Sequence, residues 1–156
     1  MVILAGGASI FWHPADETVY DASGPIRSCL REHGCIGVYR LEIGNTGRRL
    51  QPDVRVRLHA AVLDTAIMRP KVRDYGKFDR PARVTRDGPV VVYALGSVEP
   101  DERVELSFVL QRPTIEALPA WPETLVSVEP EHGAALPGSP GFIVLLRMWY
   151  AIARVF

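Results

Sequence analysis

A chain of 156 residues falls within the range of a single domain and is long enough to bury a core of its own. Its 18 basic and 18 acidic side chains cancel, which excludes nucleic-acid binding driven by bulk charge, and a 47% hydrophobic content excludes wholesale disorder. Thirteen prolines and thirteen glycines favour many short strands joined by turns over long helices.

Residues 1–12, MVILAGGASIFW, are apolar and uncharged. They lack the basic start of a secretory signal and are shorter than the roughly 20 apolar residues that a membrane span needs. They read as a segment of their own, a candidate flank to a membrane. His13–Pro25 is polar and turn-rich, with Thr18–Asp21 as a first short strand. Cys29 and Cys35 are the two cysteines. Gly24, Pro25 and Gly34 mark their segment as an exposed loop, and a bent loop of that length meets the separation a disulfide requires. Such a bond would place the domain in an oxidising compartment, whereas two free thiols would fit a reducing one.

The strong pattern begins at Cys35. Tyr39, Leu41 and Ile43 alternate with Val38, Arg40 and Glu42, a period of two with one apolar face. Gly44-Asn45-Thr46-Gly47 supplies turn residues, and Asp53–His59 repeats the alternation, with Val54, Val56 and Leu58 on one side and Arg55, Arg57 and His59 on the other. Ala60–Met68 is a helix candidate without a clear cap. Arg69–Pro89 reads as a basic, turn-rich loop carrying Lys71, Arg73, Lys77, Arg80, Arg83 and Arg86 among three aspartates, with one short strand at Ala82–Thr85. Val90–Leu95 is a β-branched and aromatic run suited to a buried strand. Val104, Leu106, Phe108 and Leu110 then alternate with Glu105, Ser107, Val109 and Gln111 as the clearest strand of the chain. Pro113, Pro119 and Pro122 interrupt it, and Thr124–Val128 offers a last strand before a Gly/Pro loop. The whole predicts an all-β antiparallel sandwich over residues 13–140.

Residues 141–156, GFIVLLRMWYAIARVF, form an apolar end interrupted by Arg147 and Arg154. At ~1.5 Å per residue a helix of this stretch reaches about 24 Å, short of a ~30 Å hydrocarbon core. Three readings stay open: a final core element, a flank to membrane segments of a longer protein, or an interfacial helix. In the last, Phe142, Leu145, Arg147, Trp149, Tyr150 and Arg154 are the candidate membrane contacts.

Tyr39-Arg-Leu-Glu-Ile-Gly-Asn-Thr-Gly47 followed by Asp53-Val-Arg-Val-Arg-Leu58 resembles the strand–turn–strand of bacterial extracytoplasmic immunoglobulin-like domains. Leu95-Gly-Ser-Val-Glu-Pro-Asp-Glu-Arg-Val104 looks like their Leu-Gly-x-Leu-x-Pro-Gly-Glu turn, with Asp101 where that family usually has Gly. The resemblance covers about half the chain. It implies a periplasmic or surface module, a spacer or adhesion unit, and carries over no catalytic residue.

The sequence holds no phosphate loop, zinc-protease helix or nucleophile elbow. Cys29, His33 and Cys35, with His13, are soft ligands, but their spacing does not match paired zinc ligands, so neither a metal nor a cofactor is expected. The expected function is a non-enzymatic extracytoplasmic module, a binding or spacer domain of a membrane or surface protein. Its partner is another protein or other domains of a larger membrane protein, with the two ends as candidate membrane contacts and no nucleic acid. The alternative is a small ligand- or anion-binding protein or enzyme whose site lies in residues 69–89, with Lys71, Arg73, Lys77, Arg80, Arg83 and Arg86 as the anion contacts.

Overall fold

The computed structural model describes residues 17–30, 33–75, 78–141 and Leu145. The apolar start, Lys77, and the candidate membrane contacts Phe142, Arg147, Trp149, Tyr150 and Arg154 lie outside the described residues; Leu145 is exposed. Ten strands and two single helical turns are described: β1 (Glu17–Asp21), β2 (Ile26–Leu30), β3 (Gly34–Asn45), β4 (Val54–His59), α1 (Ala60–Leu63), β5 (Ala66–Asp74), β6 (Arg83–Asp87), β7 (Val90–Ala94), β8 (Arg103–Arg112), α2 (Trp121–Thr124), β9 (Leu125–Pro130) and β10 (Ala134–Pro137).

They form an all-β sandwich of two sheets. One runs β10-β1-β3-β8-β5, with β2 also paired to β3, and the other runs β6-β7-β4-β9. All pairings are antiparallel except β1 with β10. The alternating residues decide the layering. Tyr39, Leu41 and Ile43 of β3, Val54, Val56 and Leu58 of β4, and Val104, Leu106, Phe108 and Leu110 of β8 are all buried in one core. Burying each such side chain contributes about 1.5–3 kcal/mol, which fixes the register: a slip of one residue would turn the whole set outward.

The turn after β3 is held by Asn45. Its Nδ2 donates to the carbonyls of Arg49 at 2.7 Å and Val98 at 2.9 Å, and its Oδ1 accepts from the Gly47 amide at 3.0 Å. Gln51 pairs with Val98 through the backbone in both directions and donates from Nε2 to the His132 carbonyl at 3.2 Å. The two turns that follow β3 and β7 are thereby locked to each other.

Three segments differ from the sequence reading. Ala60–Met68 is one helical turn that gives way to β5 at Ala66. The loop expected around the cysteines is the strand β2, all five residues of which are exposed, and the Gly/Pro loop after β9 contains β10. Edge strands of this kind bury little and carry no apolar alternation to read.

Asp101 has φ 62°, the left-handed region that a glycine enters freely. Its amide donates to the Asn45 carbonyl at 2.8 Å, so the turn cannot relax to another conformation without losing that bond. We expect Asp101→Ala to be less stable than Asp101→Gly by about 1 kcal/mol in urea unfolding. Equal midpoints for the two variants would show that the turn is not held there.

Candidate interaction site

The basic stretch 69–89 is not a single loop. Lys71 and Arg73 lie on β5, Arg83 and Arg86 lie on β6, and Arg80 sits in the connection between them. β5 hides its strand character because Pro70 interrupts it, two register shifts against β8 break its alternation, and Val72 is its one fully buried residue.

Three of the arginines are already paired. Arg73 Nε meets Asp79 Oδ1 at 3.0 Å on the open surface. Arg86 reaches Asp64 with two parallel bonds of 3.0 Å each, and that contact raises its pKa further. Arg80, with 14% of its side chain exposed, donates to Asp74 and Glu102 at 3.0 Å each and to the Ser97 carbonyl. Among the described residues, Lys71 and Arg83 have no ion pair.

These ion pairs bracket an opening. β5 is the edge of one sheet and β6 the edge of the other. Cross-strand partners share a face, and Val84 is paired with Tyr93, which is only 6% exposed; Val84 therefore points to the core side, yet it is 53% exposed. Between the two edges lies a cleft of about 200 Å³ lined by Pro70, Lys71, Val72, Asp79, Arg80, Ala82, Val84 and Tyr93. Burial pushes the Tyr93 hydroxyl's pKa up, against the opposing charge of Arg69. No spacing in the sequence could reveal this cleft, because it joins three separate segments. The lone valine within Arg83-Val-Thr-Arg-Asp87 is the one local sign of an edge strand with a half-covered inner face.

The cysteines are directly opposite each other on β2 and β3 and are bonded, with a Cα separation of 4.0 Å. Disulfides persist in oxidising compartments, so this bond indicates a non-cytoplasmic environment. It also removes both sulfurs as soft metal ligands. Among the described residues there is no cluster of three or more His, Cys, Asp or Glu able to hold a metal ion, and no helix is long and apolar enough to cross a membrane.

A second depression, of about 280 Å³, lies beside β4 and β9 between Asp53, Arg55, Glu129, Pro130 and Glu131. Glu129 accepts from Ser127 Oγ at 2.7 Å and from Arg57 Nη1 at 3.3 Å. The Ser127 bond is the main reason its carboxyl lies below the ordinary value, with Arg57 adding to it and burial opposing. A carboxyl depressed in the folded state stabilises at pH values above its unfolded pKa of about 4.3, and that gain is lost as pH falls through the folded pKa. An NMR titration should find Glu129 ionising below an ordinary glutamate, and Ser127→Ala should move it back up. An unchanged titration in that variant would remove the serine as the cause.

No family model matches the chain, and no curated protein does. Among solved structures it is similar to a GH20 exo-β-N-acetylglucosaminidase from Vibrio harveyi, solved with N-acetylglucosamine, at a TM-score of 0.46 and 6% identity over 80% of this chain and 18% of that one. An inactive mutant of the same enzyme gives a TM-score of 0.45, also at 6% identity over 80% of this chain and 18% of that one. A biomass-sensing module of an Rsgi-like protein from Clostridium thermocellum, described as resembling a family 3 carbohydrate-binding module, gives a TM-score of 0.31 at 18% identity over 62% of this chain and 72% of that one. The chain thus spans less than a fifth of the glycosidase, and none of these likenesses is close enough to carry a function across.

Proposed function

We propose that the chain is a non-enzymatic, extracytoplasmic module of the immunoglobulin-like kind, serving as a binding or spacer domain of a membrane or surface protein. The observation that carries this reading is the fate of the basic stretch: Arg73, Arg80 and Arg86 are consumed by carboxylates of the same domain and hold its edges in place. The cleft they bracket, about 200 Å³, falls below the ~300–1,000 Å³ of small-molecule sites and has room for a single large side chain. That size favours a surface for protein contact over the alternative of an anion-binding or catalytic pocket.

The pairings support the immunoglobulin-like reading in part. β3 beside β8 and β4 beside β9 correspond to the B–E and C–F neighbours of those sandwiches, and β7 beside β4 corresponds to the C′ strand of the variable type. The order along the chain departs from it, because β5, the neighbour of β8, precedes the β6–β7 hairpin in the sequence. The apolar stretches 1–12 and 141–156 support attachment to, or contact with, a membrane.

Thiol titration of the denatured protein without reductant tests the compartment. No reactive thiol is expected, and two would overturn the extracytoplasmic assignment. Thermal melts with millimolar phosphate or citrate test the alternative. No rise in midpoint is expected, whereas a saturable rise abolished by Lys71→Ala would replace the module by an anion-binding site.

A further inference from the structure

We infer that β6 is a self-complementary edge, through which two copies of the chain pair antiparallel and join their four-stranded sheets into one. The inference rests on the reading of the chain as a contact module and names its partner as a second copy of itself.

β6 pairs with β7 on one side only, so its other edge offers a row of backbone donors and acceptors. Its sequence is Arg83-Val-Thr-Arg-Asp87. Laid antiparallel on itself about Thr85, it places Arg83 opposite Asp87 of the second copy and Asp87 opposite its Arg83, with Thr85 facing Thr85 on the two-fold axis. Arg83, Thr85 and Asp87 share the outer face of the sheet, because they pair with Ala94, Val92 and Val90, whereas Val84 and Arg86 pair with the core-side Tyr93 and Val91. The two reciprocal ion pairs and the threonine pair would therefore line one face of the joint, and opposite charges and Thr–Thr contacts are both favourable cross-strand pairs. Among the described residues, neither Arg83 nor Asp87 has an ion pair within its own chain, and all five residues of β6 are exposed. Arg86 is the exception: it is occupied by Asp64 and would stay so.

The inner face fits the same arrangement. Val84 is directed to the core side and half uncovered. In the pair it would lie opposite Arg86 of the second copy, whose aliphatic stem can cover it while the guanidinium remains on Asp64. A closed two-fold contact of this kind also removes the exposed edge instead of propagating it into a filament.

Sedimentation velocity of the full chain over a concentration series tests the assignment. The expected result is a reversible monomer–dimer equilibrium. Arg83→Asp and Asp87→Arg should each weaken it on the order of 10-fold or more, because like charges then face each other twice. The double variant carrying both changes should restore it, since the charges are exchanged and not lost. Circular dichroism of each single variant, and its melting at a dilution where the parent is monomeric, should match the parent, which separates a lost contact from a lost fold. A chain that stays monomeric at every concentration overturns the proposal, as does a dimer that either single variant leaves intact or that the double variant fails to restore. None of these outcomes alters the thiol and anion tests, so the module reading stands or falls separately.

Discussion

Phe108→Ala should cost about 3–5 kcal/mol of unfolding free energy, more than the loss of any ion pair among the described residues. Phe108 is 2% exposed and sits at the centre of an aromatic cluster that ties three parts of the chain together. Its ring stacks on Tyr39, its register partner across β3 and β8, with centroids 4.9 Å apart and planes within 2°. Trp121 of α2 meets both rings edge-on, at 5.8 Å from Phe108 and 5.6 Å from Tyr39. The polar ends of the other two rings are anchored. The Tyr39 hydroxyl donates to the Pro119 carbonyl at 2.7 Å, and Trp121 Nε1 donates to the Ser23 carbonyl, so neither ring can slide to fill the gap that alanine leaves. The loss would consume much of the ~5–15 kcal/mol typical of a domain. Urea unfolding should show a lower midpoint at unchanged slope, while Phe108→Leu should recover all but about 1.5 kcal/mol. A loss below about 2 kcal/mol for the alanine variant would mean that the cluster is not packed as described.

The strands that form this core were legible because burial and period coincide there. In Tyr39–Ile43, Val54–Leu58 and Val104–Leu110 every second residue is needed inside, so the alternation in the sequence is a direct image of the sandwich. The same logic explains what escaped. β2 has no buried residue, β5 has one fully buried residue among nine and contains Pro70, and β10 has none, so nothing selects a periodic pattern in them. Trp121 gave no sign of its role either, since it lies among prolines and reaches the core from a single helical turn. The disulfide stood open in the sequence because loop length permits the bond without requiring it, and what decides the matter is the direct opposition of Cys29 and Cys35 across two strands. The cleft was beyond reach for a related reason. Whether Arg80 is a free cation or a tie depends on Asp74, Ser97 and Glu102, which lie 6, 17 and 22 residues away along the chain.

Arg80→Ala supplies the second large effect, an expected loss of about 2–3 kcal/mol. The guanidinium joins the end of β5, the turn after β7 and the approach to β8 through Asp74, Ser97 and Glu102. Removing it leaves two carboxylates converging on an empty position, and a buried ion pair broken on one side typically loses ~3–5 kcal/mol. The figure here is lower because Asp74 and Glu102 remain 43% and 29% exposed, and water screens what the arginine no longer neutralises. Arg80→Met keeps the length of the stem over the cleft, so the difference between the two variants separates packing from charge. Arg73→Ala is the control. Its ion pair with Asp79 is 50% and 70% exposed at the two ends, and its removal should cost less than about 1 kcal/mol. The Arg80 loss should persist in high salt, since the guanidinium is largely shielded from solvent, while the small Arg73 effect should vanish. Equal costs for Arg80→Ala and Arg73→Ala would show that Arg80 is an ordinary surface cation, free for the anion-binding role that its place in the basic stretch first suggested.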